Sequence, residues 1–269
     1  MKLGLWQVDA FASRPFAGNP AAIVPLDSWL PDETLQAIAN ENNLSETAYL
    51  VQQSPGRYEL RWFTPQAEVA LCGHATLATG WVVLNELERG LDVVRFATKS
   101  GELTVERGQG VMLRMALPAD KAAPFKASRE VADMLGQALG VSPPTEFFAG
   151  RYLMPLWNDA SEIRRMTLGD IAPVLRPTGM WGLVVTAPGD GPYDFVSRFF
   201  SIDHGVPEDP VCGSAHCLLT PFWAQRLGKR NLRAYQASAR GGDLLCTDEG
   251  ERVILSGPCA LYMRGEITF

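Results

Sequence analysis

AEVALCGHATLATGW (residues 67–81) closes an acidic, apolar segment at Cys72-Gly73-His74 and runs on into small and apolar residues. PEDPVCGSAHCLLTPFW (207–223) does the same at Cys212-Gly213-Ser214. Each reads as a tight turn opening a helix that is apolar on most faces, and such a helix must be buried over most of its surface. Working outward, RWFTPQAEVALCGHATLA begins at Arg61 and RFFSIDHGVPEDPVCGSAHCL at Arg198. Both run arginine, two aromatics, a hydroxyl residue, an acidic segment, a Cys-Gly turn and a buried helix; the second carries three extra residues before its cysteine. The duplication predicts two similar lobes, each a sheet wrapped around a central helix. It also predicts a cleft between the lobes that receives both helix N-termini.

The rest of the chain mixes strands and helices in the same way. LGLWQVDAF, AAIVPL, SETAYLVQQ and YELRWFTP read as strands, and PDETLQAIANENN as a helix with Pro31 at its start and acidic residues after it. LDVVRFATKSGELTVERGQGVMLRMALP reads as three strands separated by KSG and RGQG turns. LPADKAAPFKAS (117–128) has no periodicity and reads as a linker. SREVADMLGQALG follows as a helix capped by Ser128 and stopped at Gly140. Strands TEFFAGRYLMPLW, WGLVVTAPG and YDFVSRFFS precede the second Cys-Gly turn; LRAYQASA, DLLCTD, RVILSG and LYMRGEITF follow its helix. The expected division is therefore residues 1–117 plus 260–269 in one lobe and 118–259 in the other, in a mixed α/β (α+β) fold.

Bulk properties narrow the function. The chain has 269 residues, 46% of them hydrophobic, which is enough for two real cores. A net charge of −6 with no lysine or arginine cluster argues against nucleic acid or an anionic membrane as partner. No apolar run approaches the roughly 18 residues of a spanning helix. The start MKLGLWQVDAF lacks the apolar core of a signal peptide, so the expected location is cytoplasmic. Five cysteines, an odd number, do not form a disulfide framework.

A helix start presents N–H groups that lack internal partners and carries partial positive charge. Glycine after the cysteine lets a ligand approach the backbone, so Gly73, and Gly213 with Ser214, read as cradles for a carboxylate or enolate. The same dipole should lower the pKa of Cys72 and Cys212 below the free value of about 8.5. Alone, either cysteine reads as a buried structural residue beside a turn; as a matched pair they read as functional.

VDAFASRPFAGNPAAIV, NNLSETAYL, RWFTPQAEVALCGHATLAT and EDPVCGSAH together resemble the PhzF family of phenazine-biosynthesis-type isomerases. That family shares the diaminopimelate epimerase-like fold with proline racemases. The resemblance spans residues 8–216. It implies two lobes related by a pseudo-twofold axis, each a mixed β-barrel around one helix, with the active site between them. It implies no organic cofactor and no metal, a small carboxylic acid as substrate, and a homodimer. By it, Glu46 is the acid/base that moves a proton between carbons of a cyclic or conjugated acid; without it, Glu46 reads as a capping residue between helix and strand. His74 and Asp209 match positions that flank the substrate, and Gly73, Gly213 and Ser214 match the anion-binding helix starts. Asn19 matches a structural motif near the site, where an Asx-type turn is its expected role.

One position departs from the pattern. Many PhzF-like sequences have threonine where this chain has Cys212. Cys72 and Cys212 instead match the paired acid/base cysteines of the epimerases and racemases, one thiol for each face of a Cα–H. The alternative to a carboxylate-driven isomerase is therefore a two-thiol amino-acid epimerase or racemase; a non-catalytic small-acid-binding protein is the third reading. Other chemistries fit worse. Cys72 and His74 with Cys212, His216 and Cys217 lack zinc-site spacing. Cys-Gly-Ser-Ala is not the G-x-S-x-G of a serine hydrolase. RGQG lacks the third glycine and the following helix of a dinucleotide site.

Overall fold

The structure is a computed structural model, and it describes residues 1–202 and 207–269. Residues 203–206, inside the second Arg-to-Cys repeat, lie outside the described residues. The chain forms two compact units, Met1–Leu117 with Ile254–Phe269, and Pro118–Val253.

In the first unit, strands β1 (Lys2–Ala10) and β2 (Asn19–Leu26) lead to helix α1 (Asp32–Asn42). Strands β3 (Glu46–Ser54), β4 (Arg57–Phe63) and the short β5 (Glu68–Val69) precede helix α2 (Gly73–Val82). One π-helical turn, Val83–Leu87, ends α2. Strands β6 (Val93–Thr98), β7 (Gly101–Arg107) and β8 (Met112–Pro118) follow. The second unit holds β9 (Ala123–Pro124), α3 (Arg129–Leu139), β10 (Glu146–Ala149), β11 (Leu153–Leu156), α4 (Ala160–Arg165) and α5 (Ala172–Leu175). It continues with β12 (Gly182–Pro188), β13 (Phe195–Ser201), β14 (Glu208–Asp209), α6 (Gly213–Leu227), β15 (Asn231–Gln236) and β16 (Gly242–Asp248). The last strand, β17 (Arg252–Thr268), belongs almost wholly to the first unit.

The first unit is a closed barrel. Its strands pair in the order β1–β2–β3–β4–β6–β7–β8–β17, and β17 returns to β1. Closure leaves no free edge, and α2 fills the interior, packing on β1, β2, β3 and β7. That explains a helix apolar all round: every residue of α2 except Gly73 and Trp81 is buried, and the threonines at 76 and 79 turn their hydroxyls back to the carbonyls of Cys72 and Ala75. Outside the barrel, Leu35, Ile38 and Ala39 of α1 pack with Leu5, Val24, Tyr49 and Phe63, and the Tyr49 hydroxyl donates to the Leu35 carbonyl (2.6 Å).

The second unit repeats part of this plan. Its sheet runs β9–β10–β11–β12–β13–β15–β16, with α6 against β15 and β16. The parallel pairs β2–β3 and β4–β6 have counterparts in β11–β12 and β13–β15. The stretch 117–128 is more than a linker: Ala123–Pro124 pair with β10, and the Phe125 N–H donates to the Phe147 carbonyl. Residues 254–259, placed in the second lobe by sequence, lie in the first unit, because β17 is one uninterrupted strand that pairs with β1 from Cys259 onward. Pro258 also accepts the Ala12 N–H (3.0 Å).

The repeated arginines explain how each central helix is aimed. Arg61 forks onto Glu68 of β5 through two bonds of 2.8 Å, donates to Asp32 at the head of α1 (2.9 Å), and lies over the Trp29 and Phe63 rings. Arg198 forks onto Glu208 of β14 (2.6 and 2.9 Å), donates to the Met166 carbonyl, and lies over Phe200. Each fork ties the long strand to the two-residue strand just before the Cys-Gly turn. The Arg61 guanidinium holds Glu68 down to about 2, against an ordinary 4.5. A lowered carboxylate stabilises the fold above its ordinary pKa and loses that contribution as pH falls toward 2.

Among the described residues no helix is long and apolar enough to cross a membrane. The tightness of helix against barrel is testable at Gly80 of α2, where an added Cβ would lie 2.5 Å from a Val105 methyl. Overpacking costs about 1–3 kcal/mol, against about 1 kcal/mol gained in helix propensity. Gly80→Ala is expected to lower the urea midpoint with an unchanged slope, whereas Gly90→Ala, with open space around it, is expected to stay within about 0.5 kcal/mol of the parent. Equal midpoints for both variants would contradict the packing.

Candidate active site

In the first unit, three local features converge on the start of α2. The turn between β1 and β2 ends at Gly18, whose φ of +62° and whose position, with a hypothetical Cβ 2.1 Å from the Ala10 carbonyl, admit only glycine. That turn delivers Asn19, fully buried, as the first residue of β2. Asn43, left-handed at φ 48°, closes α1 and turns the chain so that Glu46 opens β3 in register with Ala21 of β2. Cys72 is the extended residue before α2, and His74 is its second residue, 3% exposed.

These side chains meet. The Asn19 amide nitrogen lies 3.0 Å from Nδ1 of His74, and Sγ of Cys72 lies 3.5 Å from the same nitrogen. On the other side of the ring, Nε2 lies 3.2 Å from Oε2 of Glu46, an ion-pair distance at which the angles of a hydrogen bond are not met. Such contacts are often loose before substrate arrives. The half-buried Glu46 carboxyl thus sits beside an imidazole anchored from behind. The arrangement can take a proton from a neighbouring carbon and return it.

The start of α6 is built differently. Asp209 closes an Asx turn onto the Val211 N–H (3.2 Å). Gln236 pins the turn, accepting the Cys212 N–H (2.9 Å) and donating to the Asp209 carbonyl (2.6 Å). The Ser214 hydroxyl lies 2.8 Å from the Tyr152 hydroxyl and 3.2 Å from Sγ of Cys212. Tyr152 stands edge-on to both Trp181 and Phe199. His216 turns Nδ1 to the Cys212 carbonyl (2.8 Å), and complete burial pushes its pKa down to about 4, so it is a neutral core residue.

The sequence expectation for Cys212 is corrected here. The helix dipole was expected to lower its pKa, but burial, with the nearby Asp209 charge, raises it well above its ordinary value. A dipole worth about 0.3–1 kcal/mol near a surface does not offset loss of water around a thiolate. Asn19 is also more than a turn residue: its side chain is committed to His74. Its chemical signal in the sequence was a buried-type position next to a forced glycine turn, which does not reveal the partner. Glu46, Cys72 and His74 further present donor atoms within 4.8 Å of one another. One of the three donors comes from β3, outside the Cys-Gly turn.

Residues 8–265 match the family model described as phenazine biosynthesis-like protein. A Pseudomonas aeruginosa protein named as an uncharacterized isomerase is 50% identical over 99% of both chains, and the human phenazine biosynthesis-like domain-containing protein is 36% identical over the full length of both. A crystal structure of a PhzF-family protein from Enterococcus faecalis superposes with a TM-score of 0.92 at 40% identity, covering all of both chains. A hydroxyproline epimerase from Agrobacterium vitis, 10% identical, shares the fold at a TM-score of 0.59 over 99% of this chain and 92% of its own.

The corrected thiol is open to measurement. Alkylation of Cys212, followed by peptide mass spectrometry between pH 6 and 9, is expected to show no thiolate titrating in that range and a rate far below that of a free thiol. A midpoint below the free-cysteine value of about 8.5 would restore the dipole-activated cysteine.

Proposed function

Since the chain belongs to the phenazine biosynthesis-like family and is an isomerase of it, we propose that it moves a proton between carbons of a small cyclic or conjugated carboxylic acid without an organic cofactor, with Glu46 as the acid/base. The observation that carries this reading is the Glu46 carboxyl 3.2 Å from Nε2 of a buried histidine that is itself anchored by Asn19. A carboxylate in that position takes a proton from an acidified C–H. The electron pair enters the conjugated acid, and the new carboxylic acid returns its proton to another carbon. Nε2 of His74, 3.2 Å from the carboxylate, is placed to donate to it once substrate tightens the contact. The first N–H groups of α2, at Gly73 and His74, offer the partial positive charge that holds the substrate carboxylate or its enolate. Asp209, Gly213 and Ser214 are assigned to substrate on the strength of the family motif.

The two-thiol epimerase is the competing reading, and the raised pKa of Cys212 weighs against it, because the base on one face would be a thiol rather than a thiolate. Glu46→Gln, Cys72→Ser and Cys212→Ser, assayed side by side on one acid that the parent enzyme turns over, separate the two. Glu46→Gln is expected to keep the fold and substrate binding and to lose a factor on the order of 10² or more in turnover. The serine variants are expected to keep most of theirs. Loss in both serine variants with survival of the Gln variant would replace the carboxylate by the thiol pair.

A further inference from the structure

We propose that Tyr152 is a positioning residue for substrate binding: its hydroxyl donates to Oγ of Ser214 at the start of α6 and leaves the Ser214 proton free for a carboxylate oxygen of the substrate. The inference rests on the assignment of Ser214 to substrate. The two hydroxyl oxygens lie 2.8 Å apart. Ser214 is half-buried and open to a ligand, whereas Tyr152 is 2% exposed and acts only through the serine. Of the two, the phenol is the more acidic hydroxyl and the better donor. Burial raises its pKa further, with Cys212 adding to the rise and Ser214 and Arg151 opposing it, so the phenol keeps its proton. A hydroxyl carries one proton and two lone pairs. With one lone pair of Ser214 taken by Tyr152, the serine proton is left with Sγ of Cys212 at 3.2 Å, a thiol rather than a thiolate. Thiol sulfur is a weak acceptor, so a carboxylate oxygen displaces it and gains a charge-assisted bond.

The phenol is held in place through its ring and through its backbone. The ring stands edge-on to Trp181 and Phe199, with centroids 5.2 and 4.9 Å away. Gly182 makes room for this: a Cβ there would lie 2.6 Å from Cδ1 of Tyr152 and 2.9 Å from Cζ of Phe199. The backbone is tied to α6 itself. Pro221, inside α6, lacks the N–H that would pair with the Cys217 carbonyl one turn earlier. The Asp120 N–H takes that carbonyl instead (3.0 Å), and the Asp120 carboxylate accepts the N–H of Arg151 (2.9 Å), the residue before Tyr152. The proline gap in the middle of α6 thus fixes the segment whose tyrosine reaches the start of the same helix.

Benzoate, a planar carboxylate, is the probe. Its titration is followed on the backbone amide signals of residues 213 and 214, with urea unfolding as the check on the fold. The parent protein is expected to bind benzoate at these amides. Tyr152→Phe, which removes one oxygen and keeps the ring, is expected to weaken binding about 3- to 10-fold, the loss of one neutral hydrogen bond. Ser214→Ala is expected to weaken it about 10- to 100-fold, the loss of one bond to a charged group. The double variant is expected to bind as Ser214→Ala alone does, because the tyrosine acts through the serine. A merely structural tyrosine would lower the urea midpoint and leave the benzoate affinity of the folded protein unchanged. That result overturns the proposal, as does a double variant whose two losses multiply. If benzoate leaves these amides of the parent unmoved, or Ser214→Ala binds it as the parent does, the assignment of Ser214 fails and the inference falls with it. An effect of Ser214→Ala without one of Tyr152→Phe strikes the inference alone.

Discussion

Everything at both helix starts depends on a planar fork of two hydrogen bonds, arginine to glutamate, made once in each unit. A two-residue strand such as β5 or β14 has too few backbone bonds to hold its own place. Arg61 and Arg198 supply what is missing, each gripping the glutamate of that strand with both nitrogens of one edge. Arginine suits this because its guanidinium is planar, permanently charged and stacks on aromatic rings, as it does here on Phe63 and Phe200. The charges are largely withdrawn from solvent, so the pair is screened less than a surface ion pair. Behind each fork the chain has a fixed direction into the Cys-Gly turn, and the turn aims the helix.

The two units carry different side chains on that shared scaffold. Around α2 the neighbours are a carboxyl, an imidazole, an amide and a buried thiol. Around α6 they are the Asp209 carboxylate, the Gln236 amide, hydroxyls, a buried thiol and the mutually edge-on rings of Tyr152, Trp181 and Phe199. Duplication accounts for the common frame, and side chains at a few positions account for the differences between the two helix starts. Cysteine at both turns occupies a tight, buried corner, and burial raises the pKa of the Cys212 thiol.

Much of this was legible in the order of residues. The duplicated Arg–aromatic–Cys-Gly pattern encodes a real structural repeat, because each element of it has a mechanical part: arginine grips, aromatics support it, glycine permits the turn, and the apolar run fills the interior. Helix α3 was readable from Ser128 and Gly140, whose cap bond to Val131 and left-handed backbone are both present. Helices α4 and α5 were not anticipated; they have six and four residues, too short to display a period. The pairing of Ala123–Pro124 was hidden because two residues cannot show alternation. At the site, Glu46 and His74 were legible through the family motif. The Asn19–His74 bond was not, since it joins a hairpin turn to a helix start through the barrel closure. The state of Cys212 was misread because local dipole arguments omit burial, which only tertiary structure reveals.

The central claim is that one carboxyl both removes and returns the proton. A substrate labelled with deuterium at the reacting carbon, turned over once in ordinary water, tests it most directly. A single-carboxyl transfer predicts that a measurable part of the label reaches the new carbon on the same face of the molecule. Complete loss of label to solvent together with inversion at the original carbon would contradict the account and place a base on each face.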